Sequence, residues 1–184
     1  LKRNRGRYVY ICTSGWAGLM LRLTGSKLTV TGKEHIPAVA PFVIISNHQG
    51  YMDIPLLIQV FPYPLSFVAK KELLKVPIIN LWLLALDCIM IERSRAMQSY
   101  KRLASRLKKG KGNPVLLFPE GTRSKGPVKG KFKKGGLKLV EDSGVPRVFV
   151  SIEGSYKIWE ESGRIKPARI RVIITPEIKN NKIA

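Results

Sequence analysis

Apolar residues recur along the chain with two different spacings, and the alternation predicts strands separated by helices. Short runs rich in aliphatic and β-branched residues predict seven strands, at residues 27–30, 42–46, 65–69, 88–91, 115–118, 148–152 and 170–175. Apolar positions three or four residues apart predict four helices, at residues 53–60, 76–86, 95–109 and 134–143. This order predicts an α/β fold: a single domain with a mixed, largely parallel sheet flanked by helices.

Two of the predicted strands are continuously apolar, as strands covered on both faces should be. They are Phe42–Ile45 and Val115–Phe118. Each is followed at once by a polar cluster, at residues 47–53 and 119–124. Ligands of α/β sheets bind at the carboxyl ends of the strands, so these two clusters are the predicted active site.

The first part of the chain has a different character. Residues 8–23 are apolar and aromatic, and a basic stretch at residues 2–7 precedes them. Such a helix either packs on the body of the protein or lies in the headgroup region of a membrane, and we favour the second alternative. We therefore expect residues 1–26 to form a membrane-associating helical segment and residues 27–184 to form the α/β domain.

The charge is strongly one-sided, with 33 Lys and Arg residues against 12 Asp and Glu residues and a net charge of +21. Such a surface attracts anions, which fits an anionic membrane, acidic substrates or acidic carriers. Nucleic acid would also fit the charge, so a basic nucleic-acid-binding domain is a remote alternative. We expect no nucleic-acid partner, because the sequence has no recognition motif and does not interleave aromatic with basic residues.

The few histidines and cysteines limit which residues can act as a base, a nucleophile or a metal ligand. His35 lies in a polar turn and is expected at the surface, whereas His48 follows a predicted buried strand. Cys12 and Cys88 fit neither a zinc spacing nor a disulfide framework, so we expect no metal and two reduced thiols. No serine lies in a nucleophile elbow, which favours direct attack by an acceptor hydroxyl over a covalent acyl-enzyme.

His48 and Asp53 are the predicted catalytic residues. Five residues on one helix turn through about 500°, which leaves the two side chains about 140° apart. The side chains can meet if His48 lies in a loop and Asp53 in the first turn of the next helix, and Gly50 would permit the turn between them. Asp53 would then fix the imidazole tautomer, and the other ring nitrogen would act as a general base.

The second polar cluster predicts a phosphate site. Arg123 can present a planar fork to phosphate oxygens, and Gly121 would let backbone amides approach an anion. Arg93 follows the predicted strand 88–91 and should emerge at the same sheet edge. A lysine-rich run after Ser124 is predicted to be a membrane-facing or carrier-facing surface.

Four blocks in this order resemble the glycerophospholipid acyltransferase family. The blocks are Asn47-His48-x4-Asp53, Ile91-Glu92-Arg93, Phe118–Ser124 and Gly144-Val145-Pro146. The resemblance covers roughly residues 28–155. Two departures are Gly50, where the family often has Ser, and Arg147, which follows the last block.

The resemblance implies roles for individual residues. His48 would be the general base and Asp53 its orienting partner. The acceptor phosphate would be bound by five residues, with Lys70 as a further acceptor-side residue. The five are Arg93, Glu120, Gly121, Thr122 and Arg123.

The resemblance also implies a reaction. It is the transfer of an acyl chain from acyl carrier protein or coenzyme A to the sn-2 hydroxyl of 1-acylglycerol 3-phosphate, giving phosphatidic acid without a cofactor. Glycerol 3-phosphate or another lysophospholipid is the alternative acceptor. The expected location is the cytoplasmic side of the cell membrane, as a peripheral or monotopic protein.

Overall fold

The computed structural model describes residues 2–77, 79–92, 95–110 and 112–176. The strands are β1 Lys27–Thr31, β2 Val43–Ser46, β3 Ser66–Lys70, β4 Ile89–Ile91, β5 Val115–Leu117, β6 Arg147–Glu153 and β7 Arg169–Pro176. The helices are α1 Lys2–Leu23, α2 Asp53–Val60, α3 Ile79–Ala85, α4 Ala96–Lys108 and α5 Lys134–Glu141. A short 3₁₀ helix, Lys71–Lys75, precedes α3.

The seven strands form one mixed sheet in the order β1-β7-β6-β2-β5-β3-β4. Every neighbouring pair is parallel except β6 and β7, which are antiparallel. The five strands β6, β2, β5, β3 and β4 therefore end at the same edge of the sheet. Loops that follow these strands are brought together there, as the sequence predicted for residues 47–53 and 119–124.

Both faces of the central strands are covered. Ile44 and Leu116 belong to a core that also contains residues of α1 and α2. Val43, Ile45 and Leu117 point the other way, into a second core formed with α4 and α5. Alternate residues of a strand face opposite sides of the sheet, so continuous apolar runs are needed here, and the predicted burial of these two strands is confirmed.

Helix α1 packs on α2. Ala17 is fully buried in the main core, and the side-chain amide of Gln59 in α2 bonds to Ser14. The opposite face of α1 is exposed although it carries Tyr8, Trp16 and Leu19. The helix is thus apolar on its outer as well as its inner face. Within the described residues, no helix combines the length and apolar character needed to span a bilayer.

The predicted α/β class is confirmed, and each predicted strand is found within one or two residues of its expected ends. Helix α2 begins and ends where it was predicted. Helix α3 is shorter than the predicted run 76–86: Val76 follows the 3₁₀ helix as a bend, Pro77 lies in a turn, and α3 is described from Ile79 to Ala85. Ile78 lies outside the described residues. The boundary between residues 1–26 and 27–184 stays a prediction.

Candidate active site

His48 and Asp53 meet across the turn from β2 into α2. His48 lies in the loop after β2, and Asp53 is the first residue of α2. The Nδ1 atom of His48 is 2.7 Å from Oδ2 of Asp53. Asp53 is fully buried, whereas 16% of the His48 side chain is exposed. An ionised carboxylate only accepts hydrogen bonds, so Nδ1 carries the proton and Nε2 is left as the basic nitrogen.

The loop that holds His48 is fixed through its backbone. Four consecutive amide N–H groups, those of residues 48–51, all donate to carboxylates. His48 N–H donates to Glu120 Oε1 at 2.9 Å. The next two N–H groups donate to Asp53 Oδ2, at 2.6 and 2.9 Å. Tyr51 N–H donates to Glu160 Oε1 at 2.6 Å. Charge-assisted bonds of this kind are about twice as strong as neutral ones, so the position of His48 is well determined.

Residues from β6 and the turn after it complete the support of the pair. The hydroxyl of Ser155 is fully buried and donates to Oδ1 of Asp53. The side chain of Asn47 pairs with the backbone of Ile152 in both directions: its Nδ2 donates to the carbonyl at 2.9 Å, and its Oδ1 accepts from the N–H at 2.7 Å. Asn47 thereby continues the pairing of β2 with β6 beyond the end of β2. The sequence did not reveal Ser155, because it lies 102 residues from Asp53.

The imidazole of His48 stacks on Phe118. The ring centroids are 3.9 Å apart and the planes are tilted by 14°. Stacking fixes the plane of the imidazole, and the bond to Asp53 fixes its rotation within that plane. Phe118 was recognised in the sequence only as part of a block, without a role of its own.

The predicted phosphate loop lies directly against the catalytic loop. Ser124 N–H donates to the carbonyl of His48 at 2.8 Å, and Lys125 N–H donates to the carbonyl of Gln49 at 3.0 Å. The guanidinium of Arg123 is stacked on the ring of Tyr51, with its central carbon 3.6 Å from the ring centroid. The structure therefore brings Arg123 to the site together with His48 and Asp53.

The other predicted phosphate ligands differ in their positions. Gly121 has a positive φ of 72° and is exposed, as is Thr122. Lys70 is exposed at the end of β3. Arg93 lies outside the described residues, although β4, which precedes it, does run parallel to β3 and ends at the same sheet edge.

Glu120 is placed differently from the phosphate ligand that the family resemblance implied. It is 5% exposed, and both of its carboxylate oxygens are occupied by backbone donors. Oε1 accepts from His48 and Oε2 accepts the N–H of Gly130 at 2.7 Å. A buried carboxylate would also repel a phosphate. Glu120 is therefore best described as a support of the His48 loop.

Neither cysteine has the surroundings of an activated nucleophile. Burial raises the pKa of the Cys88 thiol to about 11, so this thiol stays protonated at neutral pH. Cys12 is exposed on the outer face of α1. In the described part of the chain, no group of three or more His, Cys, Asp or Glu residues could hold a metal ion.

Comparison with known proteins assigns the family. The family model described as Acyltransferase matches residues 27–153, which is more than half of the chain. The chain belongs to this acyltransferase family. The matched range contains the predicted catalytic pair, Phe118 and the whole predicted phosphate loop.

Individual relatives of this acyltransferase carry a more specific name. A 1-acyl-sn-glycerol-3-phosphate acyltransferase from Pseudomonas aeruginosa is 38% identical over 94% of this chain and 68% of its own length. One from Borreliella burgdorferi is 32% identical over 75% of this chain and 56% of its own length. The crystal structure of the 1-acyl-sn-glycerophosphate acyltransferase PlsC from Thermotoga maritima superposes with a TM-score of 0.84 at 30% identity, covering 96% of this chain and 71% of that one. The chain thus spans between 56% and 71% of the length of these three relatives.

The contacts of Glu120 generate a prediction about stability. In Glu120→Gln, the amide NH₂ would face one of the two backbone N–H groups that the carboxylate now accepts. We expect a loss of about 1–3 kcal/mol in the free energy of unfolding, measured by urea titration. Glu153→Gln is the control, because Glu153 is exposed and its loss should change stability little. A Glu120→Gln protein as stable as the wild type would contradict the supporting role.

Proposed function

We propose that this acyltransferase transfers an acyl chain from a thioester to the sn-2 hydroxyl of 1-acylglycerol 3-phosphate, giving phosphatidic acid, with His48 as the general base. The observation that carries the proposal is the His48–Asp53 pair on a loop that carboxylates hold through its backbone. The guanidinium of Arg123 is stacked on Tyr51 of the same loop. The names of the relatives from Pseudomonas and Borreliella support the acceptor.

The chemistry follows from the geometry of the pair. The acceptor hydroxyl attacks the thioester carbonyl carbon while Nε2 of His48 takes its proton. The new C–O bond gives a tetrahedral intermediate, which collapses with cleavage of the C–S bond. The imidazolium returns its proton to the departing sulfur, so the products are an ester and a free thiol. Asp53 stabilises the imidazolium throughout, and general-base assistance of this kind contributes about 10²–10⁴-fold.

Arg123 is the proposed ligand of the acceptor phosphate. Its guanidinium is half-buried beside the catalytic loop, and an arginine fork fits phosphate oxygens in a bidentate geometry. Gly121, Thr122 and Lys70 remain candidate contacts because all three are exposed near the same sheet edge. Arg93 remains a candidate from the sequence alone.

The proposed donor is acyl carrier protein or acyl-coenzyme A, both of which are anionic. Six lysines between Glu120 and Glu141 are exposed, and no acidic residue lies between these two glutamates. This lysine-rich surface suits either donor. It consists of Lys125, Lys129, Lys131, Lys133, Lys134 and Lys138.

We also propose that the protein docks on an anionic membrane at the cytoplasmic side. The outer face of α1 exposes Leu19 by 56% and Leu23 by 71%, and α3 exposes Leu81 and Leu84 by more than 60% each. A shallow cleft lined by residues of both helices lies between them. Gly6 and Val9 of α1 and Leu84 and Ala85 of α3 line this cleft, so the two helices lie beside one another there. Exposed apolar side chains on a helix near basic residues are typical of interfacial binding.

Removal of the proposed base should abolish turnover. Purified His48→Ala, given detergent-dispersed 1-acylglycerol 3-phosphate and either thioester, is expected to release thiol about 10²–10⁴-fold more slowly than the wild type, since general-base assistance is lost. His35→Ala is the matched control, because His35 is an exposed histidine on a polar turn. Turnover that survives in His48→Ala, or that falls equally in both variants, would refute the mechanism. Turnover with glycerol 3-phosphate alone would favour the alternative acceptor.

Loss of Arg123 should weaken the binding of the acceptor and leave the binding of the donor unchanged. In Arg123→Ala, we expect the acceptor KM to rise about 10–100-fold, as for a lost charge-assisted bond, with the donor KM unchanged. The exposed Arg102 provides the control variant Arg102→Ala. With 1-acylglycerol, which has no phosphate, the wild type and Arg123→Ala should turn over at equally low rates. A raised donor KM with an unchanged acceptor KM would overturn the assignment.

The apolar surface can be tested with vesicles that contain phosphatidylglycerol. In a flotation assay, the double variant Leu19→Gln/Leu23→Gln should have a vesicle partition coefficient at least about tenfold lower than the wild type. The reason is that each leucine buried in the membrane contributes about 1.5–3 kcal/mol. Val39→Gln/Ile165→Gln removes two equally exposed apolar side chains elsewhere and should bind like the wild type. Equal binding by the two double variants would contradict the membrane proposal.

A further inference from the structure

Gly50 is packed so closely against a neighbouring segment that there is no room for a side chain at this position. Its φ is not positive, so its backbone conformation is open to any residue. A Cβ atom at this position would lie 2.5 Å from Oε2 and 2.8 Å from Cδ of Glu160, distances that real Cβ atoms essentially never show. The absence of a side chain at position 50 therefore serves to make room for Glu160, and not to permit the turn, as the sequence had suggested.

Glu160 itself is firmly anchored. Ile158, two residues earlier, is buried in the main core, and its carbonyl accepts the N–H of Lys166 at 2.9 Å. Gly163 N–H donates to the carbonyl of Trp159 at 2.8 Å and closes the turn. The segment that carries Glu160 is therefore part of the folded domain. The backbone of Glu160 is held in place, and its carboxylate contacts the loop of residues 48–51.

The two oxygens of this carboxylate have different surroundings. Oε1 accepts the N–H of Tyr51 at 2.6 Å. Oε2 is enclosed beside Gly50 and has no hydrogen-bond partner among the residues that the structure describes. An enclosed carboxylate oxygen without a donor is destabilising, so stability alone does not account for a carboxylate here.

The residue that Glu160 holds is the one on which Arg123 rests. Tyr51 is 61% exposed, so little besides its backbone fixes its position. Its ring nevertheless lies under the guanidinium of Arg123, 3.6 Å from the central carbon. A guanidinium over an aromatic face gains roughly 0.5–2 kcal/mol, which is enough to restrict a long and otherwise mobile side chain.

We propose that Glu160 is a positioning residue for the acceptor: through Tyr51 it holds the guanidinium of Arg123 where the acceptor phosphate binds. This inference rests on the proposed function, because it takes Arg123 as the phosphate ligand. His48 is held separately by Glu120 and Asp53. Loss of the Glu160 carboxylate therefore affects acceptor binding more than the chemical step.

The test measures acceptor KM, donor KM and kcat for Glu160→Ala and Tyr51→Ala. Both are expected to raise the acceptor KM about five- to tenfold, which lies within the range of the cation–π contribution, while the donor KM is unchanged and kcat stays within about twofold. Glu160→Gln keeps an oxygen for the Tyr51 N–H and is expected to restore the wild-type KM. The neighbouring exposed Glu161 gives the matched control Glu161→Ala, which should leave all three constants unchanged.

Combined variants test whether the effect of Glu160 on acceptor binding passes through Arg123 and depends on the space at Gly50. In the Arg123→Ala background, Glu160→Ala should raise the acceptor KM no further, because its effect passes through Arg123. Gly50→Ala should raise the acceptor KM as Glu160→Ala does, and the double variant Gly50→Ala/Glu160→Ala should be no worse than Glu160→Ala alone, because the overlap with the carboxylate is gone.

The failure of this inference can be told from the failure of the proposed function. An Arg123→Ala protein with a normal acceptor KM would remove the phosphate assignment and this inference with it. A raised KM in Arg123→Ala together with normal KM values in Glu160→Ala and Tyr51→Ala would overturn this inference alone. The same holds if Glu160→Ala lowers only stability and kcat. Should Glu160→Ala fail to fold, Tyr51→Ala decides, because its side chain is exposed.

Discussion

The site depends on one buried carboxylate. Asp53 is fully buried, and it accepts hydrogen bonds from the His48 imidazole, from two backbone N–H groups and from the Ser155 hydroxyl. A buried charge is tolerated only when it is fully hydrogen-bonded, so the loop must close around Asp53 for the fold to be stable. The requirements of stability and of the proposed catalysis therefore select the same loop conformation.

Two further carboxylates extend this arrangement from different parts of the chain. Glu120 comes from the loop after β5, and Glu160 from the segment after β6. With Asp53 they accept every amide N–H from residue 48 to residue 51. Backbone donors carry no sequence preference, so the three acceptors hold the path of the loop whatever its side chains are. Position 50 is the exception, because a Cβ atom there would overlap the carboxylate of Glu160.

The sequence predicted the parts of the structure that depend on local patterns. Continuous apolar runs identified β2 and β5 as central strands, and the spacing of His48 and Asp53 predicted a loop-to-helix arrangement, which is confirmed. It did not predict the contacts of Asn47, Ser155 and Glu160, each of which joins residues more than 100 positions apart. Such contacts arise from the pairing of β6 beside β2. A single sequence carries no signal for them, because a serine or a glutamate in a polar turn is ordinary in its own neighbourhood.

The two backbone bonds between the catalytic loop and the phosphate loop have a consequence for regiochemistry. Ser124 and Lys125 donate to the carbonyls of His48 and Gln49, so the two loops are joined directly through their backbones. Together with the stacking of Arg123 on Tyr51, these bonds fix the distance between the imidazole and the guanidinium. If the acceptor phosphate rests on Arg123, the number of bonds between phosphorus and hydroxyl decides which hydroxyl reaches His48. Discrimination between the sn-1 and sn-2 oxygens of glycerol would then follow from a fixed length, without a separate contact to either carbon.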